Sequence, residues 1–197
     1  MIIAHPIRLE TYESHSQTMT LDELKSSVRT VPDWPEPGVR FRDVTPLFEI
    51  PECFSTIVDA FCEHYRELGV DRIAGVDARG FVIGGAVANK MNLPFVLVRK
   101  KGKLPFETVS EDYSLEYGKA TIEVHTDSAS EGERIAIVDD LIATGGTLLA
   151  ASKLFKRLGA SVVEVSAVID LPELGGSKML EDAGLQVMSL IQFSETE

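Results

Sequence analysis

Apolar positions along this chain follow two alternating patterns. Phe54, Ile57, Val58, Phe61, Tyr65 and Leu68 recur at helical spacing, and Gly69 stops the run. Ile73-Ala74-Gly75-Val76 then reads as a short buried strand, followed by residues 81–91, whose small side chains suit a helix packed closely on a sheet. Pro94-Phe95-Val96-Leu97-Val98 predicts the next strand. Ile135-Ala136-Ile137-Val138 is another, and residues 148–158 return to the helical period before Gly159. Strand and helix alternate again through residue 171, so the pattern predicts an α/β fold: a parallel sheet wrapped by helices, with right-handed crossovers.

Two stretches depart from this rhythm. Thr20-Leu21-Asp22-Glu23 has the capping-box pattern, and Leu21, Leu24 and Val28 predict a short helix ended by Pro32. The segment 31–43 holds Pro32, Pro35 and Pro37 along with Trp34 and Phe41, which reads as an ordered, irregular loop over a pocket. Residues 103–118 read as a connection of about fifteen residues, long for a compact domain and of the kind that serves as a lid. Residues 1–18 are polar and irregular and are expected to be a loosely ordered extension. Residues 19–197 are expected to be a single domain, since 197 residues suffice for one full core but not for two ordinary domains with a linker.

Composition narrows the partners. A net charge of -12 argues against nucleic acid as the main one, because affinity for a polyanion rests on many Lys and Arg contacts. No run of apolar residues is long enough to span a membrane, and the first residues lack a signal-peptide pattern. Cys53 and Cys62 lie too far apart along one predicted helix for a disulfide, which fits a reduced cytoplasm. The four His residues show no zinc-ligand spacing.

The chemistry concentrates after the strand at 135–138. Asp139-Asp140-Leu141-Ile142-Ala143-Thr144-Gly145-Gly146-Thr147 joins that strand to a helix. Its glycines permit close backbone approach, Thr144 and Thr147 add hydroxyl donors, and the helix start offers free amides and a positive dipole end. A phosphate is expected at Ala143, Thr144, Gly145, Gly146 and Thr147. Two adjacent carboxylates would repel it unless a ribose intervened, whose hydroxyls Asp139 and Asp140 can accept. Taken alone, the acid pair reads more readily as an ordinary acidic loop at a strand end. Asp77-Ala78-Arg79-Gly80 forms a second strand-to-helix turn, where Arg79 is either structural or a phosphate ligand. Arg99-Lys100-Lys101-Gly102-Lys103 collects positive charge at the same sheet edge, as a solvated face, a localisation signal or a pyrophosphate site. Glu116 by itself reads as a solvated loop residue.

These segments, in this order, resemble the type I phosphoribosyltransferase family. Pro37-Gly38-Val39-Arg40-Phe41-Arg42-Asp43, Ala78-Arg79-Gly80-Phe81, residues 99–105, Tyr113-Ser114-Leu115-Glu116-Tyr117-Gly118 and residues 138–147 carry the likeness, over about residues 20–193. They are most similar to its adenine-acting members. The resemblance implies a mainly parallel central sheet flanked by helices, a small N-terminal hood over about residues 19–50 and a flexible loop. It implies reaction of adenine with 5-phosphoribosyl 1-pyrophosphate to give AMP and pyrophosphate, with Mg2+ held mainly by substrate rather than by side chains, in a homodimer. It places adenine at Arg40, Phe41 and Leu141, pyrophosphate at Ala78, Arg79, Arg99, Lys100, Lys101 and Lys103, and Glu116 near N7 of the base. By the same likeness Glu116, Asp139, Asp140 and Arg79 are the catalytic group. Ala78 stands where some members have serine. Transfer to another purine base, and a non-catalytic nucleotide-sensing regulator of the same fold, are the alternatives.

Overall fold

The computed structural model describes residues 19–114 and 119–194; the predicted extension 1–18 and Glu116 lie outside them. The capping box forms as expected. Thr20 Oγ1 accepts the Glu23 amide at 3.2 Å, and Glu23 Oε2 accepts the Thr20 amide at 2.8 Å, opening helix α1 (Leu21–Ser26). The chain then departs from the expected irregular loop. Strands β1 (Arg29–Pro32) and β2 (Arg40–Asp43) pair antiparallel, Val31 opposite Phe41. Pro32 is tolerated because it ends a strand in a two-stranded sheet, while Pro35 and Pro37 fall in the connecting turn. Asp33 and Gly38, both at positive φ, close that turn, with the Gly38 amide donating to Asp33 Oδ1 at 2.8 Å.

Helix α2 (Thr45–Glu49) leads into α3 (Pro51–Leu68), which has proline in its first turn and ends at Gly69 with φ of +61°. The rest alternates strand with helix except where four strands follow one another: β3 (Arg72–Val76), α4 (Arg79–Met91), β4 (Phe95–Lys100), β5 (Thr108–Ser114), β6 (Lys119–His125), β7 (Arg134–Ile142), α5 (Gly146–Arg157), β8 (Ser161–Asp170), α6 (Gly176–Asp182) and β9 (Val187–Gln192). These strands form one sheet in the order β5-β6-β4-β3-β7-β8-β9. Strands β4, β3, β7, β8 and β9 run parallel; β6 is antiparallel to β4, and β5 to β6. The fold is therefore α/β with a mainly parallel sheet. The expected fifteen-residue connection is shorter than it looks in the sequence, because Thr108–Ser114 is a strand paired along its length with β6.

Strand alternation divides the interior in two. Ala136 and Val138 of β7 join Ile57, Phe61, Ile83 and Val87 in one core, while Ile135 and Ile137 join Leu148, Leu154 and Phe155 in the other. Leu24, Val28, Val44 and Leu47 belong to the first core, so the N-terminal elements pack as part of the same body. From β3 the chain moves outward to β4 on one side, then returns to β7 on the other. Ligand crevices open at such a switch point, beyond the strand carboxyl ends. Asp77 and Asp139 stand there.

Candidate active site

Two turns meet at this switch point. At the end of β3 the Asp77-Ala78 peptide bond is cis, and Arg79 opens α4 with no side-chain cap from Ala78. A side chain at Gly80 would put its Cβ 2.6 Å from the Val138 carbonyl oxygen and 3.1 Å from Asp139 Oδ1, so glycine is what lets α4 start against β7. Arg79 Nε donates to Asp140 Oδ2 at 2.5 Å. The Asp140 side chain is 8 % exposed, and its amide donates to Asp139 Oδ1 at 2.8 Å. Burial, and then the neighbouring Asp140 carboxylate, push the Asp139 carboxyl well above the ordinary range. The acid pair is thus unequal: the Asp139 carboxyl is raised, while Arg79 faces Asp140.

Beyond β7, Gly145 has φ of +74° and caps α5 without a side-chain hydrogen bond. The first-turn amides of α5 therefore have no side-chain partner at this cap, as an anion site requires. Thr144 is exposed and Thr147 half-buried. The loop is backed by α6, a support not expected from the sequence. The Gly176 amide donates to the Ala143 carbonyl at 3.0 Å, and a Cβ on Gly176 would clash with that carbonyl and lie 2.7 Å from the Gly145 nitrogen. The Gly175-Gly176 doublet just past a predicted strand was the available signal.

A cavity of about 570 Å³ adjoins this loop. Arg40, Phe41, Leu141 and Ala143, expected at the base and phosphate sites, all line it. Its opposite wall was not foreseen: Leu171 and Leu174 follow β8, and Phe193 follows β9. Phe41 meets Trp34 edge-on at 4.4 Å between ring centroids. The Arg42 guanidinium lies 4.2 Å from the Phe193 ring centroid and donates to Thr30 Oγ1 at 2.6 Å, joining the hairpin to the end of the sheet.

The basic run divides. Lys100, Lys101 and Lys103 are exposed around a turn, whereas Arg99 points back, its Nε on Asp77 Oδ2 and its Nη1 on the Lys103 carbonyl, both at 3.2 Å. Arg99 thereby ties the basic turn to the turn that carries Arg79. Among the described residues no group of three or more His, Cys, Asp or Glu side chains is placed to hold a metal ion.

An uncapped helix start beside two carboxylates, joined to a largely apolar cavity, has the shape and chemistry that a phosphorylated sugar carrying a flat ring would need. Comparison with known proteins agrees. The family model described as "Phosphoribosyl transferase domain" matches residues 43–189. An adenine phosphoribosyltransferase of Cupriavidus necator is 55 % identical over 170 residues, 86 % of this chain and 90 % of that protein. The crystal structure of adenine phosphoribosyltransferase from Rhodothermus marinus superposes with a TM-score of 0.82 at 44 % identity, over 88 % of this chain and 98 % of that one. That of Trypanosoma brucei, in complex with AMP, pyrophosphate and ribose-5-phosphate, gives 0.80 at 30 % identity, over 87 % and 78 %. The chain belongs to the phosphoribosyl transferase family and, within it, to the adenine phosphoribosyltransferases.

Proposed function

We propose that this chain transfers the 5-phosphoribosyl group of 5-phosphoribosyl 1-pyrophosphate to N9 of adenine, giving AMP and pyrophosphate in purine salvage. The observation that carries the reading is contiguity: the cavity lined by Arg40, Phe41 and Leu141 shares Ala143 with the uncapped α5 loop. A nucleoside monophosphate would span both. The relatives' names supply the base, and the Trypanosoma brucei complex contains the product pair.

In this reading residues 143–147 hold the 5-phosphate, and Asp139 and Asp140 accept from the ribose hydroxyls. Breaking the bond from C1 to the pyrophosphate oxygen leaves positive charge on the ribose, which Asp140 offsets. Arg79, with the backbone at Ala78 and the side chains of Lys100, Lys101 and Lys103, takes up the charge of the departing pyrophosphate, while Arg99, engaged with Asp77 and the Lys103 carbonyl, serves that site by holding the turn that carries the lysines. Adenine, stacked at Phe41 and Leu141 with its edge read at Arg40, forms the new bond through N9, and its proton is lost to solvent or through Glu116 near N7. Magnesium, when bound, would neutralise part of the pyrophosphate charge. Mg2+ commonly takes one or two carboxylate oxygens together with substrate phosphates, so the substrate would supply most of its ligands.

The reading includes one domain over residues 19–197 with a hood at about 19–50, supported by the shared core of Leu24 and Leu47 with Ile73 and Val138. It includes a homodimer, supported by exposed Val82 and Leu97 on neighbouring α4 and β4. It includes a cytoplasmic setting, supported by the free thiols of Cys53 and Cys62. Incubation with each purine base, 5-phosphoribosyl 1-pyrophosphate and magnesium, followed by identification of the nucleotide, tests it. AMP is expected, with hypoxanthine and guanine poor substrates; IMP formed as fast as AMP would overturn the adenine assignment.

A further inference from the structure

Glu123 lies on β6 between Ile122 and Val124, both in the core, so strand alternation sends its side chain away from them. Yet only 4 % of the residue is exposed. What covers it is the basic turn. Gly102, at φ of +79°, bends the backbone so that three successive amides converge on one oxygen. Gly102, Lys103 and Leu104 donate to Glu123 Oε1 at 2.9, 3.1 and 3.1 Å. Oε2 accepts the Thr108 hydroxyl at 3.4 Å. Consecutive amides of this kind form a concave anion site. Here the anion is built in.

The same turn is gripped from its other side. The Lys103 carbonyl accepts Arg99 Nη1, and Arg99 Nε reaches Asp77. Arg99 and Glu123 face each other in the β4–β6 ladder. One chain of bonds therefore runs from Asp77 at the end of β3, through Arg99, the Lys103 peptide and Glu123, to Thr108 at the start of β5.

We infer that Glu123 is a positioning residue for pyrophosphate: it fills the backbone cradle of residues 102–104, so that the turn presents the ammonium groups of Lys101 and Lys103, not its amides, to the ligand. The inference rests on the function proposed above and deepens it. Without the carboxylate, three convergent amides lose their common acceptor, and they gain one again only by reorienting or admitting water. Either change frees the two lysines, and a diphosphate must then order them on binding, which weakens it. The base cavity and the 143–147 loop include neither Glu123 nor the turn it holds. A ligand confined to them should be indifferent to its loss.

Calorimetric titration of Glu123→Ala and Glu123→Gln, with magnesium pyrophosphate and separately with AMP, tests the assignment. In Glu123→Ala, pyrophosphate should bind about tenfold more weakly and AMP within about twofold of wild type, the scale set by losing a charged hydrogen-bond acceptor. Glu123→Gln keeps an acceptor oxygen without the charge and should fall between. A general structural role would weaken both ligands together. If Glu123→Ala does not fold, hydrogen exchange in Glu123→Gln provides the reading, with faster exchange expected at Gly102, Lys103 and Leu104. Unchanged pyrophosphate affinity in folded Glu123→Ala, equal loss of both ligands in Glu123→Gln, or unchanged exchange at those amides would overturn the inference. Pyrophosphate binding that depends on Glu123 in a protein forming no AMP would sink the adenine assignment and leave this one standing.

Discussion

Asp139 and Asp140 are chemically identical neighbours that the fold makes unequal. Asp140 has Arg79 at 2.5 Å, while burial and the adjacent charge raise Asp139. For an acid whose folded pKa is raised, the unfolded chain ionises first, so the folded state binds more protons and stability falls as pH rises above the ordinary value of 3.8. Asp139→Asn removes that titration. Its urea-unfolding stability should decline less than that of wild type as pH climbs from about 4 toward neutrality; parallel curves would show that Asp139 ionises normally. Asp140→Asn should instead lose roughly 10²-fold in turnover, over and above the stability it loses with the Arg79 pair, because its charge is asked to oppose the cationic ribose. Near-normal turnover in a folded variant would remove that role. Phe41→Ala should weaken adenine by about 1 to 3 kcal/mol, the range for stacking on a base, with a smaller effect on 5-phosphoribosyl 1-pyrophosphate. An unchanged adenine KM would shift the stacking to another residue of the cavity.

Among the elements, the least conspicuous, α6, sets the geometry of the 143–147 loop proposed to hold the phosphate. Gly175 and Gly176 separate its contributions. A methyl on Gly176 strikes the Ala143 carbonyl, whereas one on Gly175 meets open space at φ of +75°. Gly176→Ala should therefore cost AMP affinity as well as stability, the latter by about 1 to 3 kcal/mol. Gly175→Ala should lower the melting temperature while leaving AMP binding in place. Equal AMP binding by the two would mean that α6 does not set the loop. The sequence already showed the loop itself, because an Asp pair followed by Ala-Thr-Gly-Gly-Thr is a local pattern with a local cause. It did not show α6 as the support, since that contact joins residues about thirty apart through backbone alone. Strands β1 and β5 were hidden for a related reason: prolines, and polar residues such as Ser110 and Asp112, read as loop until a partner strand supplies the pairing. Glu123 was hidden by its alternation with core residues, which looks the same whether a turn covers it or water does. The cavity proposed for the base was half legible: Arg40, Phe41 and Leu141 come from motifs, while Leu171, Leu174 and Phe193 reach it only through the order of the sheet.

At the scale of the whole molecule two electrostatic effects oppose each other. A net charge of -12 repels a polyanionic substrate, while Arg79, Lys100, Lys101 and Lys103 gather positive charge near one end of the sheet. Salt weakens both, so the sign of its effect says which one governs binding. At physiological ionic strength the Debye length is about 8 Å, and charges on the far side of the protein are already screened. Contacts within the site are not. Raising salt from about 0.1 M to about 1 M shortens that length from about 10 to about 3 Å and should act mainly on the local cations. The KM for 5-phosphoribosyl 1-pyrophosphate is therefore expected to rise several-fold in potassium chloride at fixed free magnesium, while the KM for adenine, a neutral base in a largely apolar cavity, stays nearly constant. Steady-state kinetics across that range check this. A KM for the pyrophosphate substrate that falls with salt would mean the acidic bulk of the molecule dominates, and equal shifts for both substrates would point to a general effect on the fold.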